Sequence, residues 1–275
     1  MKNVKMTICL MAAVLFMAAG QGFGSGWIHF RDGKTHNINY QLSDYVRVDY
    51  QAPSMQTTVN LLAGGRIYCP YSSIALQGWN DSRINISGGS VEGELDACDR
   101  SQVTISSGSV NSLFAYDSSQ ITISGGSLGL GLYAEGSSQV TMSGGASSYL
   151  YTYGSGQITM SGGYVGDLYA YSSGRVTLSG GTIGSEIRMM TNAELIIKGF
   201  NFAIDGKPVG FDKITSILGG DCLNESYRTL TGTLANGDII NNQFRIGNYA
   251  SITLVPEPAT LLLFGLGAVM FRRKG

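Results

Sequence analysis

The chain has 275 residues, of which 39 are glycine and only 13% are charged, with a formal net charge of −1. This balance excludes the basic surface that draws nucleic acid. Two histidines in all leave little material for an imidazole-based metal or acid–base site, and no cofactor is expected. Abundant glycine with few charges describes a chain of tight turns and uncharged strands.

At the N-terminus, Lys2 and Lys5 precede an apolar stretch from Thr7 to Ala19, and Ala18 and Gly20 are small residues ahead of a cut after Gly20. Residues 1–20 therefore read as a secretory signal peptide, too short in its apolar part to be a stable membrane span. Met6, Thr7 and Ile8 lack the small pair that a lipobox places before its cysteine, so Cys9 is not a lipidation site. Residues 27–58 contain an alternating strand, Tyr45-Val46-Arg47-Val48-Asp49-Tyr50, and are expected to form an N-terminal β cap.

Residues 59–200 repeat. The pattern aliphatic-Thr-aliphatic-Ser-Gly-Gly begins at Ile84, Val103, Ile121, Val140, Ile158 and Val176 and closes at Leu195, with steps of 19, 18, 19, 18, 18 and 19 residues. A longer turn precedes it at Val59-Asn60-Leu61. A second strand follows each Gly-Gly, built on the pairs Leu95/Ala97, Leu113/Ala115, Leu132/Ala134, Leu150/Thr152, Leu168/Ala170 and Ile187/Met189. The second member of each pair keeps a constant distance from the next repeat, so the 18/19 difference falls in a short loop after Gly-Gly. Constant phase over six repeats predicts stacked coils: one coil cannot bury its apolar face alone, whereas several can.

The spacing predicts an all-β, single-stranded β-solenoid, β-helix-like, with 18–19-residue coils, right-handed or flattened. Alternation turns both aliphatics of each strand inward and the Thr outward, and glycine allows the corner. Six to seven coils about 4.8 Å apart give a rod on the order of 30 Å long. The hexapeptide helix is excluded because Ser109 stands where a hexad after Val103 needs an aliphatic, and the nonapeptide calcium roll because GGxGxD is absent. Residues 201–254 lose the repeat and read as a C-terminal β cap. In it Thr229 to Leu234 and Ile239 to Ile246 form a hairpin around Asn236-Gly237 with a type I′ turn.

The last segment, 255–275, carries Pro256-Glu257-Pro258, an uncharged apolar run over 259–271, and the basic cluster Arg272, Arg273 and Lys274. The apolar run enters a membrane and the basic cluster stays cytoplasmic. At this length the run suits a transient anchor better than a permanent transmembrane helix. These parts, in this order, resemble the PEP-CTERM sorting signal. The resemblance implies an exosortase-type membrane protease as partner, processing at the envelope, and a producer of exopolysaccharide; it specifies a route and no activity.

Among the cysteines, Cys69, Cys98 and Cys222 remain after signal removal, without a CxxC motif. Three outward columns arise on the first strand. Arg83, Gln102, Gln120, Gln139, Gln157 and Arg175 form one, Asn85, Thr104, Thr122, Thr141, Thr159 and Thr177 the next, and Ser87, Ser106, Ser124, Ser143, Ser161 and Ser179 the third. This flat polar face suits ice or polysaccharide contact, or serves only to solvate a strand. On the second strand Phe114, Tyr133, Tyr151 and Tyr169 form an aromatic column beside Tyr116, Tyr153 and Tyr171. Such a ladder either stacks on sugar rings or stiffens the sheet. Carboxylates are sparse: Glu94, Asp96 and Asp99 are grouped and Asp117, Glu135 and Asp167 stand apart. A polysaccharide-degrading enzyme needs clustered acids, and an ice-binding solenoid two Thr ranks, so neither is favoured. The sequence reads as a non-enzymatic envelope or extracellular-matrix protein, with a carbohydrate-binding surface module as the alternative.

Overall fold

The computed structural model describes residues 26–51, 55–215, 226–247 and 249–257. They form an all-β solenoid with coils of about 19 residues in about nine turns. At about 4.8 Å per turn the rod is roughly 40 Å long. The added length comes from both flanks of the repeat, which join the stack.

Each coil contributes to three parallel ladders. The first starts at Thr35–Ile38, runs through Thr58–Leu61 and the repeat strands such as Gln120–Ile123, and ends at Ser251–Pro256. The third starts at Trp27–Phe30, passes Tyr45–Val48 and the Leu/Ala strands, and ends on Ile239–Ile246. Between them lies a short second ladder that carries Ile67, Val91, Val110, Leu128, Ser147, Val165 and Ile183. The segment 27–48 thus pairs in parallel with the coils that follow it.

The core is what alternation requires. Ile84, Val103, Ile121, Val140, Ile158 and Val176 are at most 2% exposed, and the Leu/Ala pairs of the third ladder are fully buried. Burying each such aliphatic side chain contributes about 1.5–3 kcal/mol, so the rod is stabilised by long apolar columns instead of a compact centre. The corner depends on the second glycine of each pair. Gly163 has φ +89°, and a Cβ there would stand 2.8 Å from the Gly145 carbonyl oxygen one coil away. Ser107 occupies the first position in one repeat while Gly108 keeps the left-handed corner.

Two details differ from expectation. The extra residue of the 19-residue coils sits within strand pairing, as a bulge between the second and third ladders; the register jumps between Val91 and Glu94 and between Leu128 and Gly131. Without such a bulge the coil goes from Val110 to Leu113 in three residues, whereas Leu128 to Leu132 takes four. The hairpin at 228–246 forms, but not with a type I′ turn. The Gly237 amide donates to the Leu234 carbonyl at 2.9 Å, and only Gly237 of the Asn236-Gly237 pair has positive φ, at 98°. The Asn236 side-chain Oδ1 accepts from the Asp238 amide at 3.0 Å, holding Asn236 in a right-handed turn followed by a left-handed glycine.

The two ends are finished differently. At the C-terminal end, Arg228–Leu234 lies antiparallel to both Glu194–Ile204 and Ile239–Ile246, and Lys213–Ile214 lies antiparallel to the last strand. At the N-terminal end Ile28, Phe30 and Leu42 are only partly buried against the core.

Candidate functional site

The third ladder carries one outward column along its whole length: His29, Arg47, Gln77, Asp96, Phe114, Tyr133, Tyr151, Tyr169, Arg188 and Arg245. In-register stacking brings like side chains to within a coil's spacing of one another, and here the rings are large enough to meet. Phe114 and Tyr133 stack at 4.3 Å between centroids and 8° between planes, and Tyr133 and Tyr151 at 5.0 Å and 3°. Tyr151 and Tyr169 follow at 5.0 Å, and Tyr153 and Tyr171 form a parallel stack at 5.1 Å. Tyr116 lies beside Phe114 at 5.9 Å, and Tyr149, not singled out from the sequence, beside Tyr151 at the same separation.

The consequence is chemical. Sugar stacking needs a free ring face, and here the faces are turned along the rod axis toward one another. Edges and hydroxyls point outward; Tyr149 and Tyr153 are the most exposed, at 38% and 36%. Packing pushes the Tyr151 phenol up to about 12, and burial also raises Tyr133, Tyr153, Tyr116 and Tyr169. These phenols stay neutral and act as hydrogen-bonding groups only.

Polar groups close the column at both ends. The Arg47 guanidinium lies 3.6 Å from the Trp27 ring centroid and 4.1 Å from that of Tyr50, a cation–π cage at the N-terminal side. Gln77 receives a hydrogen bond from the Trp79 indole at 3.1 Å and donates to Asp96 at 2.8 Å. Asp96 is 4% exposed, and its second carboxylate oxygen is buried without a partner among the described residues. Burial, more than the neighbouring Glu94 charge, raises the Asp96 carboxyl to about 6. On the C-terminal side Arg188 lies 5.1 Å from the Tyr169 ring centroid and pairs with Glu186 at 2.8 Å. Asp96, Arg188, Gln77 and Arg47 were not singled out from the sequence as members of this column; the signal was the phase of the pairs Leu95/Ala97 and Ile187/Met189, which bracket Asp96 and Arg188.

Three of the remaining acids hold backbone amides. Asp99 accepts the Asn80 amide and Asp117 accepts the Asp99 amide, each at 3.1 Å, a staircase linking successive left-handed corners. Asp167 likewise accepts the Glu186 amide at 3.1 Å. Among the described residues no three His, Cys, Asp or Glu side chains are grouped to hold a metal ion. Cys69 and Cys98 are buried free thiols, and burial with nearby carboxylates raises Cys98 to about 12.

On the first ladder, Gln102, Gln120, Gln139 and Gln157 are exposed and directly in register, as are Thr104, Thr122, Thr141 and Thr159. Thr177 is half-buried at the end of the rank. The Ser106, Ser124 and Ser143 hydroxyls turn back to carbonyls of the preceding coil at 3.4–3.5 Å.

The sorting motif begins within the last strand of the stack. Val255 and Pro256 pair with Lys198 and Gly199, and Glu257 is half-buried. Pro258, the apolar run 259–271, Arg272, Arg273 and Lys274 lie outside the described residues, as do the signal peptide and Cys222. No helix among the described residues is long and apolar enough to cross a membrane. No curated protein and no solved structure matches the chain. Residues 254–274 match the PEP-CTERM protein-sorting motif, the mark of an exported protein that exosortase, a membrane enzyme, recognises and directs to the cell envelope.

Proposed function

We propose that the protein is a non-catalytic structural component of the envelope, a stiff rod delivered by its sorting tail. The observation that carries this reading is the aromatic column: its ring faces stack on one another at 4.3–5.0 Å, which stiffens the sheet and leaves no face for a sugar. Asp99, Asp117 and Asp167 support it too, since their carboxylates hold backbone amides of neighbouring coils. Carbohydrate binding through this column is the second reading. It is favoured only by the partly exposed edges and hydroxyls of Tyr149 and Tyr153.

Delivery is tested by replacing Pro256, Glu257 and Pro258 with alanine. The variant should accumulate as an unprocessed, membrane-associated form, read as a higher mass on a blot of fractionated cells. Unchanged mass and unchanged fractionation would remove the sorting tail from the account.

A further inference from the structure

The first ladder presents a different surface from the third, and its hydrogen-bonding capacity is unspent. At the N-terminal end its central rank consists of asparagines whose amides are chained: Asn85 donates to Asn60 at 2.9 Å and Asn60 to Asn37 at 2.8 Å. From Thr104 onward the rank changes to threonine. Coils about 4.8 Å apart put neighbouring threonine hydroxyls beyond hydrogen-bond reach, so threonine cannot chain as asparagine does. The hydroxyls of Thr104, Thr122, Thr141 and Thr159 have no partner among the described residues, and neither do the flanking Gln amides.

The result is a flat grid of identical free groups. Its repeat is about 4.8 Å along the rod and about 7 Å between the Gln and Thr columns, two residues apart on a strand. Four successive coils carry it in unbroken register, with no charged side chain in either column between Arg83 and Arg175. The second ladder cannot match this, because from Ser109 onward it pairs over only two residues per coil, one of them inward. The third cannot either, because its rings are spent on each other.

We infer that the Gln/Thr face of the first ladder is a binding surface for an extended, neutral polysaccharide lying along the rod axis. Uncharged amides and hydroxyls both donate and accept, which matches a ligand made of hydroxyls and excludes one that needs a countercharge. Each contact is weak, but a rigid row engages successive sugar units together, so affinity accumulates along the rod. This goes beyond the scaffold reading and moves the glycan contact away from the tyrosines.

The test is retention of the full chain on insoluble cellulose and chitin, with polygalacturonate as an anionic comparison. A Thr122→Lys/Thr159→Lys variant places two long charged side chains on the face, two coils apart, where the native hydroxyls make no internal bond. It should melt like the wild type and bind at least tenfold more weakly, while Thr122→Ser/Thr159→Ser should bind like the wild type. If the lysine variant does not fold, Gln120→Ala/Gln157→Ala reads the same face. Lack of wild-type retention on both neutral glycans, equal retention of the face variants, preference for polygalacturonate, or an effect on ice growth alone would each overturn the inference. None of these results bears on the scaffold reading, which rests on the aromatic column and the tail.

Discussion

The first and third ladders are made by the same coils, in the same register, with equally repetitive outward residues, yet they end in opposite states. Tyr133, Tyr151 and Tyr169 satisfy one another at about a coil's spacing, because that spacing falls within the centroid separation at which aromatic rings stack with an offset. Thr122, Thr141 and Thr159 are equally well aligned but too short to meet. Repetition of a surface residue therefore does not mark a binding site by itself. What separates the two faces is whether the side chain can reach its own copy one coil away.

The comparison supposes a common core beneath both faces, and breaking that core should have the largest effect. Val140 is 2% exposed between Ile121 and Ile158 in the first ladder's inward column. Val140→Asp buries an unpaired carboxylate, a cost of several kcal/mol. The β-type circular dichroism of the domain should collapse at 25 °C; a variant with an unchanged spectrum and melting curve would be incompatible with stacked coils.

A smaller effect sharpens the third ladder's side of the comparison. Asp96 has a folded-state pKa of about 6, raised from 3.8 by burial. Well below pH 3.8 the carboxyl is neutral in both states and costs nothing; from there the unfolded chain ionises first and the cost accrues, reaching its full value, up to about 3 kcal/mol, above about pH 6. Asp96→Asn keeps a partner for Gln77 and should raise the melting temperature at pH 8 while leaving it nearly unchanged at pH 3.5. Equal melting shifts at both pH values would mean the carboxylate is not destabilising.

The smallest effect concerns the buried serines at the start of the first ladder. Ser82, Ser101, Ser119 and Ser138 have fully buried hydroxyls without partners among the described residues, and later coils place Gly156, Gly174 and Ala193 at this position. Ser119→Ala should be neutral or stabilising by about 1 kcal/mol. A clear loss of stability in thermal melts would show that the serine column is hydrogen-bonded.

Much of the fold was legible because period-two alternation and a fixed repeat length act on every coil. Ile84 through Val176 and the Leu/Ala pairs are buried where their phase puts them. The second ladder was not legible, since one inward residue per coil, such as Val110 or Leu128, has no alternation to announce it, and Ser147 interrupts the column. The joining of both flanks to the stack was hidden because residues 27–48 and 239–256 keep strand pairing but not the Ser-Gly-Gly corner. As for the candidate site, the sequence located both outward faces, but ring orientation and hydrogen-bond satisfaction are three-dimensional facts, and those decide between them.

The most direct test of this account is the Tyr133→Ala/Tyr151→Ala/Tyr169→Ala variant of the full chain, measured for both melting temperature and retention on neutral glycan. Loss of three stacked contacts at about 1 kcal/mol each should lower the melting temperature by roughly 5–10 °C. Retention measured below the transition should match the wild type. An unchanged melting temperature with lost retention would contradict the account, because the tyrosines would then be the glycan contact and not the stiffening of the rod.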